Sequence, residues 1–501
     1  MKPALRPAMS WLHTWTGLFC GWLLCAIFFT GTLSVFREPI TRWMTAEPTL
    51  PAVASVHLTP LELALRYLES AGSGARFWRI ELPAHEGGAM TVAWAGRGGV
   101  EELKLHPGNG EVLPQPWGRD TQGGRHFMSF HYTLHLPVLG YWLVGLVSIG
   151  MLVALLTGVI IHRRIFQDFF LFRPGKGLRT WMDAHNVSAV LTLPFLFMIV
   201  YTGLAVFYLS YMPWPLQTLF GDYGYSRYQA ALHGDAPASG PRFDGLPAMV
   251  AGTESLTRQR ASMVLIEFPD RVRVFGTVDP GKPALTLGNP MAIASFAGGQ
   301  LVKLNTPHDP MHAEAVHGVM ESLHLTRFAG WGLKWLYFLS DLLGTLMLAC
   351  GNVMFLSKRA RKSQHEFGPA TPRFYRLTAA LNAATMAGIC LASIAYFYAN
   401  RLIPASLPGR ADWEIRVFLL VWLAALLHAL CRPAERVWHE QLSLTAVLCL
   451  GLPLLNYVST GQHLGLYLAG GDGQRAAVEL ISLAFAVVLG GLALRLRRST
   501  S

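Results

Sequence analysis

Charge is what this chain has least of. Only 14% of its 501 residues are Asp, Glu, Lys or Arg, against about 25% in soluble domains. The deficit excludes an ordinary soluble domain and points to lipid as the solvent. Cysteine is also sparse. Cys20, Cys25, Cys350, Cys390, Cys431 and Cys449 lie in or beside apolar runs. Neither their spacing nor their location fits a disulfide framework or a zinc site. The chain has no GxGxxG after a strand, no Walker loop and no CxxCH, so no nicotinamide, flavin or ATP site and no covalent c-type haem is visible. No cleavable signal peptide is expected, because the first apolar run is long and leads to Arg37.

What is present is hydrophobic sequence, 52% of the chain. Eight apolar runs are long enough to cross ~30 Å of hydrocarbon. They fall near 10–36, 138–161, 184–209, 331–356, 376–399, 414–431, 440–459 and 475–496. Basic residues mark every alternate connection. Lys2 and Arg6 precede the first run, and Arg163, Arg164, Arg173, Lys176 and Arg179 follow the second. Lys358, Arg359, Arg361, Lys362 and Arg373 follow the fourth, Arg432 and Arg436 the sixth, and Arg495, Arg497 and Arg498 the eighth. The net charge of +11 therefore reads as topology and not as a nucleic-acid surface. The same rule places both termini in the cytoplasm. The fold class is an all-α polytopic membrane protein with small periplasmic α+β insertions.

Two long segments fall outside, 37–137 and 210–330. The first opens an amphipathic helix at Thr59-Pro60. Strand-like runs follow at 77–82, 89–94 and 100–105, then a turn at Pro107-Gly108-Asn109-Gly110 before Glu111-Val112-Leu113. The second has strand-like runs at 262–268 and 271–278 about Pro269-Asp270, and reads as a similar, degenerate module. The expected organisation is a first helix (1–36), a module (37–137), helices two and three (138–209), a second module (210–330), helix four (331–360) and a separate bundle (376–498). That bundle has few ionisable residues, with His428 and His463 its histidines in or beside spans.

Polar side chains in lipid are costly, so intramembrane histidines are functional candidates. His13 and His185 lie at the cytoplasmic starts of spans one and three. On the outer side, His131 and His135 precede span two, and their i,i+4 spacing predicts one helical face. His317 and His324 precede span four, two turns apart on one face. Two levels, each fed by different helices, are what two bis-histidine b-type haems need. Copper or zinc is the metal alternative, disfavoured by the lack of compactly spaced Cys or carboxylate. Gly17, Gly21, Gly31, Gly145, Gly150 and Gly158 leave room for porphyrins or for close helix packing. His162, beside Arg163 and Arg164, reads as interfacial. Asp341 reads as a proton or haem-edge group or a polar interface residue, and Asp183 as a helix cap ahead of a supporting contact to a haem ligand. Tyr223, Tyr225, Arg227 and Tyr228 are loop candidates for ligand contact or for ordinary loop packing.

The run from Thr59 to Leu113 resembles a PepSY module. LHTWTGLFCGWLLCAIFFTGTLSVFRE, HYTLHLPVLGYWLVGL, GVIIHRRIFQDFFLFRPGKGLRTWMDAHN and LHLTRFAGWGLKWLYFL resemble PepSY-associated transmembrane proteins. The resemblance covers about residues 8–360 and leaves out the last four helices. Members include iron-regulated inner-membrane proteins, some of them haem-containing reductases of ferric siderophores. The resemblance implies an inner-membrane haem oxidoreductase acting on a ferric siderophore at the periplasmic face. It places axial ligands at His13, His185, His135 and His324, with His131 and His317 as neighbours that substitute. Some relatives carry a fused flavodoxin-like reductase domain; this chain ends after a helix, and its electron donor, a quinol or a reductase, stays open. A siderophore or peptide permease and a PepSY-type regulator are the alternatives.

Overall fold

The structure, a computed structural model, describes residues 5–53, 56–83, 85, 87–96, 99–162, 172–212, 214, 217–218, 221, 241–277, 292–305, 312–326, 330–362 and 366–500. Among them, eight helices are long and apolar enough to cross a membrane: Leu5–Ser34, Pro137–Ile161, Leu178–Val206, Trp331–Arg359, Gly368–Leu402, Arg410–Cys431, Ala434–Thr460 and Gly473–Arg498. They are spans one to eight below. The expected polytopic helical class with a small β portion is what the chain adopts.

The chain divides into two compact units. One holds Met1–Ala46, Arg119–Tyr201 and Trp335–Ser501; the other holds Glu47–Gly118 and Thr202–Lys334. In the first unit the last four spans do not stand apart as expected. Ala26 and Phe29 of span one and Trp43 share a core with Tyr396, Phe418, Leu452 and Tyr467. The Trp22 indole donates to Asn382 at 2.8 Å. Buried ionisable groups, missed by the expectation, reinforce this core. Arg401 donates to Asn456 (2.8 Å) and to the carbonyls of Trp43 (2.6 Å) and Met44 (3.1 Å). Arg410 pairs with Glu414 at 2.9 Å, and both are almost completely buried. Asn456 and the Trp43 indole both donate to Glu479.

Span two is approached through a short helix, Arg125–Thr133. The chain reverses through Leu134 and His135, both with left-handed φ (53° and 55°). Gly140 permits the reversal, because a Cβ there would sit 1.6 Å from the Thr133 carbonyl oxygen.

Among the described residues, the second unit is built on one seven-stranded sheet in the order β3-β2-β1-β4-β5-β6-β7. Its strands are β1 (Phe77–Glu81), β2 (Met90–Gly96), β3 (Gly99–Leu105), β4 (Arg260–Glu267), β5 (Arg271–Thr277), β6 (Ile293–Ala297) and β7 (Gln300–Asn305). Every pairing is antiparallel. The two long inter-span segments, read from sequence as separate modules, meet through β1 and β4, with Ile80 opposite Val264. Leu61, Ala64 and Leu68 of helix Pro60–Ala71 and Met249 and Val250 of helix Leu246–Thr257 share a core with Ile80, Val92, Val264 and Val274. Thr59 opens the first helix with a complete capping box to Glu62. Its hydrogen bonds hold the Glu62 carboxyl below the usual carboxylate range.

Candidate functional site

Spans one to four bring two histidines together in the first unit. The His13 imidazole, on span one, reaches span two: its Nδ1 lies 2.9 Å from the Ala154 carbonyl oxygen and 3.3 Å from the Thr157 hydroxyl. The His185 imidazole, on span three, reaches span four, with Nδ1 2.8 Å from the Met347 carbonyl oxygen. A carbonyl only accepts, so both Nδ1 atoms carry the proton. That tautomer leaves the ligating lone pair on Nε2. The two ring centroids are 6.3 Å apart, with planes at 74°.

Each ring also sits where a glycine makes room. A Cβ on Gly158 would approach His13 Cε1 to 3.2 Å, and one on Gly351 would approach His185 Cε1 to 3.3 Å. Nearer the other end of span one the pattern recurs. His131, on helix Arg125–Thr133, has Nδ1 2.8 Å from the Ile27 carbonyl oxygen, and a Cβ on Gly31 would meet that same Nδ1 at 2.7 Å. Burial pushes the protonation of His131 down, against an opposing pull from the Ile27 carbonyl, so the ring favours the neutral form that binds metals. In the second unit, His324 Nδ1 is 3.3 Å from the Thr202 hydroxyl, and its Cε1 would be 2.8 Å from a Gly203 Cβ.

These glycines have a spacing. His13 and Gly31 on span one, and His185 and Gly203 on span three, are each five helical turns apart, roughly 27 Å. Five whole turns return to the same helix face. Gly31 and Gly158 were picked out in the sequence for porphyrin room or close packing. Gly203 and Gly351 were missed, though for Gly203 the shared spacing was the signal. Gly21 and Gly150 instead adjoin Asn352 and Cys20, and Gly17 meets nothing within 4 Å.

Other candidates sit elsewhere. His135 does not share a helical face with His131, because the helix ends at Thr133. Its Nε2 is 2.9 Å from Nδ1 of the fully buried His126, with the rings stacked 5.0 Å apart. His126 packs on Tyr396 and Phe418. Burial pushes the protonation of both rings down, and at His126 the neighbouring His135 adds to it. His317 shares helix His312–Leu325 with His324. Its Nε2 faces the Val206 carbonyl at 3.1 Å, so the proton is on the nitrogen that His13 and His185 leave open. Asp183 is not a cap. It lies inside span three and accepts from Arg173 through Nε (2.8 Å), Nη2 (2.7 Å) and the backbone N–H (3.1 Å). Asp341 is buried in span four, and His162 closes span two. Tyr223, Tyr225, Arg227 and Tyr228 lie outside the described residues.

The His13–His185 pair passes a simple test of fit. Two imidazole–metal bonds of about 2 Å put the nitrogens ~4 Å apart and the ring centroids ~6 Å apart, close to the 6.3 Å found. Backbone carbonyls holding Nδ1 are the usual outer support of a ligating histidine. Among the described residues, no group of three or more His, Cys, Asp or Glu gathers as a metal site. The His13–His185 arrangement is thus a two-imidazole one, suited to a planar ligand that supplies the remaining donors.

Fold and helix composition together define a multi-pass membrane protein carrying an antiparallel α+β unit. The family model of the PepSY-associated TM region matches residues 10–358, and the chain belongs to that family. It is also similar to an uncharacterised protein of Pseudomonas aeruginosa, 25% identical over an alignment of 342 positions that covers 62% of this chain and 80% of that protein.

Proposed function

We propose that this protein is a di-haem b-type oxidoreductase of the inner membrane that reduces ferric siderophores at the periplasmic face. The observation that supports it best is the His13–His185 pair: two imidazoles from different spans with ring centroids 6.3 Å apart, each with Nδ1 held by a carbonyl and its ring beside a glycine. These two residues would hold the inner haem. His131 and His324 are each kept as a candidate haem ligand on the strength of its own surroundings alone, and His135 and His317 are set aside. Haem, when bound, supplies a reversible one-electron couple.

The residues of the chain do the rest. Ala154, Met347 and Ile27 fix three ring tautomers, and the apolar walls of the spans keep water from the imidazoles. One electron added to the ferric centre of the chelate makes ferrous iron, which the chelator holds far less tightly. The sheet unit would cradle the chelate, and electrons would come from a quinol or a partner reductase. Both termini would be cytoplasmic, following the basic loops.

An absorption spectrum of protein purified from haem-replete cells tests the reading. A reduced b-type Soret and α band with about two haems per chain by pyridine haemochrome is expected. Colourless protein would sink it and favour a permease or a regulator.

A further inference from the structure

The last four spans carry a cavity separate from the candidate ligand histidines. It has a volume of about 480 Å³ and lies where span five begins, span six ends and span seven begins. Arg376 and Arg432 line it, with Tyr375 and Trp438, and small apolar side chains including Ala379 and Ala429 complete the wall. The two guanidiniums are not equivalent. Arg432 is already neutralised by Glu440, through Nε at 3.2 Å and a second contact through Nη2. Arg376 donates one Nη2 hydrogen bond to the Leu430 carbonyl at 2.6 Å, and no described carboxylate pairs with it. Its side chain is exposed, and the cavity is open to the edge of the bundle.

A guanidinium offers a planar fork that matches phosphate oxygens. A Trp and a Tyr at a helix end belong to the headgroup level of a bilayer. An alanine wall beside them takes an acyl chain and has no use for a soluble ion. We propose that this cavity binds the phosphate of an anionic phospholipid, with Arg376 as the phosphate contact, Trp438 and Tyr375 at headgroup level and one chain along the alanine wall. Basic recesses between spans take anionic lipids in this way.

The test uses the full chain in mild detergent, purified from membranes containing phosphatidylglycerol, with retained lipid counted by native mass spectrometry. At least one phosphatidylglycerol should stay with the wild type. Arg376→Gln should lower its occupancy about five-fold, the equivalent of about 1 kcal/mol for one basic residue. Ala379→Trp, which fills the wall and leaves both arginines, should lower it too. Size-exclusion and thermal unfolding select the folded variants. Unchanged retention in folded Arg376→Gln overturns the proposal. So does equal retention of phosphatidylcholine, and so does displacement by inorganic phosphate as effective as by phosphatidylglycerol, which would mark a soluble-anion site.

Discussion

Gly31→Ala is the sharpest test of the histidine geometry. The added Cβ would lie 2.7 Å from His131 Nδ1 and 2.8 Å from its Cε1. Non-bonded heavy atoms settle at about 3.5–4.0 Å, so the imidazole must retreat by roughly 0.8 Å or more. Its 2.8 Å hydrogen bond to the Ile27 carbonyl is on that same side and would be lost. Overpacking costs about 1–3 kcal/mol and the hydrogen bond about 1 kcal/mol. Removing a helical glycine returns about 1 kcal/mol. The net is a destabilisation of roughly 1–3 kcal/mol concentrated on one imidazole. Loss of such outer support typically weakens metal binding about 10–100-fold. Haem per chain and thermal unfolding in detergent should therefore both fall. Two other glycines set the scale. Gly17→Ala meets nothing within 4 Å and should be neutral or slightly stabilising, and Gly351→Ala, at 3.3 Å from His185, should be mild. The reasoning fails if Gly31→Ala matches Gly17→Ala in haem content and stability.

His13→Ala and His185→Ala should each remove the inner haem, and His131→Ala and His324→Ala should each lower haem content and ferric-chelate reduction, whereas His135→Ala should retain both haems; wild-type pyridine haemochrome values in the first four would refute the ligand assignment. Arg401→Ala strands the Trp43 and Met44 carbonyls and Asn456, and should cost about 1–3 kcal/mol for each buried acceptor left without a donor, read as a lower unfolding temperature in detergent. Thr59→Ala should cost about 1 kcal/mol by removing the helix cap. Because the Glu62 carboxyl is held below its ordinary value, its share of stability is complete above the unfolded pKa of about 4.3. It is lost as pH falls through the lower folded value; an unfolding profile of Glu62→Gln matching the wild type from pH 7 to pH 3 would contradict this. Reporter fusions after Arg361 should behave as cytoplasmic and those near Gly98 as periplasmic; the reverse pattern would overturn the orientation.

The spans were legible because hydrocarbon demands about 20 apolar residues in a row. The helix at Pro60 was legible from its Thr59 and Glu62 cap. Strands β1 to β5 announced themselves through Val, Ile, Phe and Trp. Strand β6 did not, since Ile293–Ala297 is mostly small residues, and β7 was missed with it. The i,i+4 reading of His131 and His135 failed because it assumed one helix across both. Pro137, which opens the next helix, was the overlooked signal of a break. The buried Arg401 and Arg410 escaped notice because charged residues were used to trim the ends of the spans. Burial partners as distant as Trp43 leave no local trace.

The join between β1 and β4 sets an order of assembly. Phe77 lies opposite Glu267, roughly 190 residues later, so at usual translation speeds the first three strands wait on the order of 10–40 s for their neighbour. Spans two and three must enter the bilayer during that interval. Until then β1 is a bare edge, the kind of strand that recruits wrong partners. Arg79 and Glu81, charged residues on that strand, give the half-made sheet a guard against pairing with another nascent chain.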